Sequence, residues 1–357
     1  MSSTETTIKT YPTYTLPAVG GGRSETVKGG LQSSSSLAEF KTFDSTPSIG
    51  TEFGEGVQIR NLLNSDKRDV YLRDLAILTW RRFLPDQDLT PEELKTLITK
   101  LGELSGKPSD STLHIHPLTA EKSAKGDQIS VISSERPTDR DLHDRSRLAS
   151  NGWHADITFE KVPSDYAVLK IHTLPETGGD TLWASAYEAY DRLSPEFAKF
   201  LEGLTARHDA NWFYDIAAKM GNNIRTDVRG AALNSGPDLS AVHPIIRTNP
   251  VTGWKGLYVN PYFTRRIIGV TKDESDVILS YLARVIHENH DLQVRFKWSK
   301  NSVAIWDNRS TFHTATWDHG QKRIGDRAVS LGEQPYYDPQ SSSRRTALGL
   351  APFTRLE

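Results

Sequence analysis

The sequence predicts a mainly β domain, a jelly-roll barrel with flanking helices. Three observations predict it. Short runs of β-branched and aromatic residues recur between turn residues, only a few stretches carry helical periodicity with start signals, and no internal repeat interrupts them. At 357 residues the chain is near the upper limit for one core. The expected organisation is an N-terminal extension over residues 1–50, one barrel domain over 51–340 and a tail over 341–357.

The extension is rich in Thr, Ser and Gly, with Gly20-Gly21-Gly22 and a serine run over 33–36, and lacks apolar periodicity. Such a segment cannot bury enough surface to offset its ordering entropy, so it is expected to be flexible or draped over the surface. The alternative is an arm that docks on a neighbouring subunit of a homo-oligomer. Thr90-Pro91-Glu92-Glu93 starts a helix, with Thr as N-cap, Pro at N1 and Glu at N3. Leu94, Leu97, Ile98 and Leu101 form its apolar stripe, and Gly102 or Gly106 ends it. Residues 167–171 read as a strand. Ser194-Pro195-Glu196 starts a second helix, expected to bury Phe197, Phe200 and Leu201. Residues 257–259 read as another strand. A third helix starts near Thr271 and carries Val277, Ile278, Tyr281, Leu282 and Val285. Residues 302–306 form a further strand, and the tail resembles the extension in composition. Helices are expected on one side of the strands.

A formal charge of −2 gives no general case for nucleic acid or an anionic membrane as partner. With no cysteine, disulfides and thiolate metal sites are excluded. Neither an apolar run of membrane length nor a signal-peptide core is visible, so the expectation is a cytoplasmic protein.

Any metal must then be held by His, Asp or Glu, and one set stands out. In an extended segment His154 and Asp156 lie two positions apart and point to one face, while Ala155 points away. His313 completes the set if the fold brings its strand alongside. Two imidazoles and one carboxylate fill three corners of an octahedron, as in non-haem Fe(II) oxygenases, and leave three for a bidentate 2-oxo acid and dioxygen. Ordinary hydrogen-bonded histidines with Asp156 in a turn are one alternative. A zinc hydrolase is another, but it needs a general base, and no His-Glu-x-x-His pairing is present. His143, His208, His290 and His319 each sit beside a charged residue and read as surface positions.

The context of the triplet narrows the choice. Asn151-Gly152-Trp153-His154-Ala155-Asp156 is followed by Gly178-Gly179-Asp180-Thr181, then by Ile305-Trp306-Asp307-Asn308-Arg309, His313 and Lys322-Arg323-Ile324-Gly325-Asp326-Arg327. In order and spacing this series resembles the taurine dioxygenase family of Fe(II)/2-oxoglutarate-dependent enzymes. The resemblance runs from about Gly56 to about Tyr337 and sharpens the fold to a double-stranded β-helix. It implies Fe(II) on His154, Asp156 and His313, with 2-oxoglutarate and dioxygen as cosubstrates. It further implies that Thr181 and Arg323 grip the distal carboxylate of 2-oxoglutarate.

For the substrate, the resemblance implies an anion held by Arg327, by His116 of the Leu113-His114-Ile115-His116-Pro117 block and by the backbone N–H of Ile157. Arg323, Gly325 and Arg327 alternate along one strand and can share its inward face. Two inward guanidiniums in a mostly apolar barrel each require an anion. Elsewhere the pocket diverges from the family: Thr119 stands for a Tyr, Ser150 for an Asn, and Phe213 and Tyr214 for a Ser-Phe pair. The interval from His313 to Arg323 is one residue short, which a tighter loop at Asp318-His319-Gly320 absorbs. The expected reaction is hydroxylation of a small anionic substrate, a sulfonate first, with release of sulfite and an aldehyde. A carboxylate or amino-acid oxygenase is the alternative, and a non-catalytic jelly-roll binding protein is the rival from another class.

Overall fold

The computed structural model describes residues 30–78, 82–120, 123–135 and 148–353. The fold is mainly β with flanking helices. A seven-stranded sheet runs in the spatial order Thr42–Asp44, Thr51–Phe53, Arg82–Leu84, Val303–Asp307, Ser164–Thr173, Ile324–Leu331 and Ile129–Ser133. A three-stranded sheet places Thr181–Ser185 between Gln293–Phe296 and Thr311–Ala315. A second three-stranded sheet and a two-stranded one complete the β structure among the described residues.

The Ser164–Thr173 strand explains why a continuous apolar run was needed. Its side chains alternate between two cores: Ala167, Leu169 and Ile171 face inward, while Tyr166 and Val168 face the helical side. The inner core joins the two main sheets, with Phe83 stacked on Phe296 at 3.9 Å and Trp183 against Trp306 at 5.9 Å between ring centroids. On the outer side, Leu94, Leu97, Ile98 and Leu101 of the Pro91–Leu104 helix pack against the large sheet. That helix has the capping box expected at Thr90 and Glu93.

Helices cover both outer sides, which corrects the expectation of one. The Lys272–His287 helix buries Leu282, Val285 and Ile286 in a third core beyond the three-stranded sheet. The expected burial of Phe200 fails, and the Lys272–His287 helix shows the same cause, a buried stripe narrower than the apolar residues suggest. Phe200 is 47% exposed, Val277 70% and Tyr281 44%, so each stays at the surface beside its buried neighbours. The strand read at 257–259 ends at Leu257, with Tyr258 and Val259 buried just beyond it.

The described parts of both ends are tied to the body of the fold. Residues 1–29 lie outside the described set, but Ser34 and Ser36 of the serine run hydrogen-bond the buried Asp74 carboxylate, and Leu37 joins the outer core. Short hydroxyl side chains capping a carboxylate replace the missing apolar burial. In the tail, Arg344 is buried and donates to Glu188 at 2.6 Å. No helix among the described residues is long and apolar enough to cross a membrane.

Candidate metal centre and its cavity

His154 and His313 meet across an antiparallel bridge. The His154 N–H donates to the His313 carbonyl at 3.0 Å, and the His313 N–H returns a bond to the His154 carbonyl at 2.7 Å. This is the strand juxtaposition that the sequence left conditional. Directly after His154 the chain turns, and Ile157 adopts φ 51°. A β-branched residue rarely accepts that conformation, so strain is stored beside the site. The turn brings Asp156 Oδ1 to 4.0 Å from His154 Nε2 and 3.9 Å from His313 Nε2. One ligand atom from each of the three residues lies within 4.8 Å of the others, a spacing that fits one metal ion.

The supports fit a metal as well. His154 Nδ1 sits 2.7 Å from the Gly152 carbonyl, which makes Nδ1 the donor and leaves the Nε2 lone pair facing the centre. Burial lowers the His154 pKa below its usual value, against the pull of Asp156, so the imidazole is neutral. Burial alone would raise the Asp156 carboxyl, but Arg327, His313 and His154 hold it down at about 2. It is therefore an anion at neutral pH. Asn308 fixes its orientation: the Asp156 N–H donates to Asn308 Oδ1 at 2.9 Å, and Asn308 Nδ2 donates to Asp156 Oδ2 at 3.3 Å. Trp306 Nε1 in turn donates to Asn308 Oδ1 at 3.1 Å. Sequence reading placed Asn308 in a recognised block without giving it this role.

The centre opens into a cavity of about 380 Å³. Thr181, Arg323, Arg327, His116, Ile157 and Phe213 all line it, as expected from the sequence. Arg323 is 4% exposed, donates from Nε to the Gly179 carbonyl at 2.7 Å and from Nη2 to Thr181 Oγ1 at 3.2 Å. Among the described residues no carboxylate lies within ion-pair distance of it, and burial pushes its pKa down to about 10. A buried cation in that state calls for an anion. The tight loop does its part: Asp318 Oδ1 accepts from the Gly179 N–H at 2.9 Å, which ties the loop to the Gly178-Gly179 turn.

Arg327 corrects one expectation. Its inward guanidinium already has an anion, because Nη1 donates to Asp156 Oδ1 at 2.6 Å. That is the oxygen facing both imidazoles. Gly325, between the two arginines, is required by close strand packing: a Cβ there would meet the Lys170 carbonyl oxygen and Ile171 Cδ1 at 2.5 Å.

Two other expected residues do not line the cavity. Ser150 lies in a short 3-10 turn over Ala149–Gly152 and only Gly152 of that turn reaches the cavity. Tyr214 is 40% exposed and donates to the Pro237 carbonyl at 2.7 Å, because it points away on the short helix whose Phe213 points in. Tyr262 and Phe263 were missed. Their rings lie 5.0 Å and 5.9 Å from that of His154, and only the aromatic pair itself could have signalled them. His208 is fully buried, hydrogen-bonded to Thr158 and Thr264, which overturns its reading as a surface histidine. His143 lies outside the described residues.

Comparison with known proteins follows the same lines. The family described as "Taurine catabolism dioxygenase TauD, TfdA family" matches residues 41–329. An alpha-ketoglutarate-dependent dioxygenase of Penicillium shearii, esdpJ, is 43% identical, with 88% of this chain and 94% of the relative covered. Another from Neocamarosporium betae, btcD, is 43% identical over 90% of this chain and 99% of its own. An alpha-ketoglutarate-dependent sulfonate dioxygenase of Saccharomyces cerevisiae is 30% identical over 85% of this chain and 69% of its own. The crystal structure of a taurine dioxygenase from Burkholderia xenovorans superposes with a TM-score of 0.64 at 27% identity, covering 85% of this chain and 92% of that one.

Proposed function

The chain belongs to the TauD, TfdA family of Fe(II)/2-oxoglutarate-dependent dioxygenases, and from that premise we propose that it oxygenates a small anionic substrate, a sulfonate first of all. When bound, Fe(II) with 2-oxoglutarate and dioxygen supplies the oxidation, yielding succinate and CO2 while one oxygen atom enters the substrate. The observation that carries the reading is the convergence of His154, Asp156 and His313 in one cavity with the buried Arg323.

Each side chain has a role in this reading. His154, Asp156 and His313 hold the metal, with Gly152 and Asn308 fixing two of them. Arg323 and Thr181 hold the distal carboxylate of 2-oxoglutarate. Thr181 Oγ1 accepts from Arg323 and from Trp298 Nε1 at 3.0 Å, so both lone pairs are engaged and its own proton is free to donate to a carboxylate. Arg327, His116 and the Ile157 N–H hold the substrate's anionic head, and Phe213 packs beside His116 at 5.2 Å between rings. Sharing Asp156 between Arg327 and a metal leaves the guanidinium's other donors for that head. Hydroxylation of the carbon bearing a sulfonate gives a hydroxy sulfonate, which collapses to an aldehyde and sulfite. The sheets and helices are taken as a double-stranded β-helix domain, proposed for residues 51–340 and supported by the family match within 41–329.

A carboxylate substrate is the second reading, and one observation favours it. The two relatives at 43% identity carry no sulfonate in their names, whereas relatives that do are 37% and 30% identical. A panel of sulfonates and carboxylates, assayed for succinate and sulfite together, separates the two. Sulfite in proportion to succinate is the expected result. Succinate coupled to a carboxylate, with no sulfite from any sulfonate, would reject the sulfonate reading.

A further inference from the structure

Behind the cavity wall lies a buried polar knot. Thr158 follows the strained Ile157, His208 stands on the Thr205–Asp209 strand, and Asn260 and Thr264 flank Tyr262 and Phe263 in the chain. All four knot residues are buried, and none of them lines the cavity. The Asn260 amide is used at both ends: Oδ1 accepts from the Phe263 N–H at 2.9 Å, and Nδ2 donates to Thr158 Oγ1 at 3.3 Å. The Asn260 N–H donates to Thr264 Oγ1 at 2.9 Å, and the Thr264 N–H returns a bond to the Asn260 carbonyl at 3.0 Å. His208 Nδ1 lies 2.9 Å from Thr158 Oγ1 and 3.3 Å from Thr264 Oγ1, so one imidazole bridges the two segments.

On the cavity side the same segments meet through rings. Tyr262 and Phe263 stand against His154, and Phe263 stands against Phe159 at 5.2 Å between centroids. Ring contacts tolerate sliding, whereas a buried hydrogen-bond network has defined lengths and angles and rigidifies what it joins. A β-branched residue at φ 51° also persists only where its surroundings over-determine it, and the knot fastens its next neighbour.

We propose that Asn260 and Thr158 are positioning residues, which clamp the Tyr262-Phe263 turn to the turn carrying Asp156 and so set where a bound substrate lies relative to the metal ligands. With the oxygenase reading above as its premise, a loosened clamp loses aim: 2-oxoglutarate is consumed while less substrate is oxygenated. The metal ligands themselves stay in place, because the His313 backbone, Gly152 and Asn308 hold them independently.

Thr158→Val keeps the shape and removes the hydroxyl, Asn260→Ala cuts the clamp from the other side, and Thr158→Ser restores the hydroxyl. In the full chain without metal, hydrogen–deuterium exchange of the amides over 258–266 should be about tenfold faster in the two cutting variants and near wild type in Thr158→Ser. Fe(II) affinity by calorimetry and the KM for 2-oxoglutarate should stay within about twofold of wild type. Product per succinate, with butanesulfonate and butanoate as probes, should fall about threefold or more and recover in Thr158→Ser. Asn260→Ala serves where Thr158→Val does not fold. Wild-type exchange over 258–266 in a folded cutting variant, or wild-type coupling, overturns the proposal. So does a fall in Fe(II) affinity, which would assign the clamp to the metal instead. If neither probe stimulates succinate formation in wild type, that counts against the substrate reading, and exchange together with Fe(II) affinity decides the clamp by itself.

Discussion

Asp156 carries the densest set of demands in the molecule. One of its oxygens faces two imidazoles and accepts from Arg327, while the other is held by Asn308. Replacing His154, Asp156 or His313 by Ala should therefore abolish Fe(II) binding measured by calorimetry, with circular dichroism unchanged, since a two-ligand remnant loses its preorganisation. Wild-type affinity in any variant would remove that residue from the set. Arg323 makes a second prediction at this scale. Arg323→Ala should raise the 2-oxoglutarate requirement by the equivalent of about 2–4 kcal/mol, through loss of a charge-assisted pair with a dry carboxylate. Arg323→Lys should recover part of it, because an ammonium cannot reproduce the fork. A shift in substrate KM alone, with 2-oxoglutarate dependence untouched, would assign Arg323 to the wrong ligand.

At the scale of elements, the segment after the metal triplet is anchored by a buried ion pair. Glu160 accepts from Arg229 Nε at 2.6 Å and Nη2 at 3.0 Å, with His114 Nε2 at 3.3 Å from the same carboxylate. Arg229→Ala strands Glu160 without its main counter-charge and should destabilise the fold by about 3–5 kcal/mol in urea unfolding. A loss below about 1 kcal/mol would mean that the pair does not anchor the turn. None of this anchor was legible in the sequence, because Glu160 and Arg229 are distant in the chain and neither belongs to a periodic pattern. The legible parts had local causes. Thr90 and Glu93 announce their helix through adjacent hydrogen-bonding groups, and the His154-Ala155-Asp156 spacing marked the metal triplet, although a turn after His154 rather than strand pleat brings Asp156 to the imidazoles. The family resemblance paired Arg323 with Thr181 on one ligand, and the two side chains lie 3.2 Å apart. Tyr214 and Ser150 went astray because a motif register fixes position along the chain, whereas the direction of a side chain depends on the local turn.

At the scale of the whole molecule, buried histidines couple stability to pH. Burial keeps His208 well below its usual pKa and, with Arg247 nearby, holds His243 down at about 3. In the unfolded chain both titrate near 6.5, so below that value the unfolded state binds protons that the folded state refuses, for His243 down to about 3. Their stabilising contribution is complete above pH 6.5 and is lost as pH falls. For His243 alone the loss between pH 6.5 and 5 is about 2 kcal/mol. The urea midpoint should drop over that range, and His243→Gln should flatten the slope; a midpoint independent of pH would contradict the burial.

The central claim is that one cavity aims a bound anion at the metal centre through Arg327 and His116. Its most direct measurement is the ratio of oxygenated product to succinate in wild type and in Arg327→Ala, with a small anionic substrate present at saturation. Positioning by Arg327 predicts a ratio near one in wild type and a clear fall in the variant, because 2-oxoglutarate is still consumed while the substrate is no longer held in line. An unchanged ratio in Arg327→Ala, with the metal still bound, would contradict the claim.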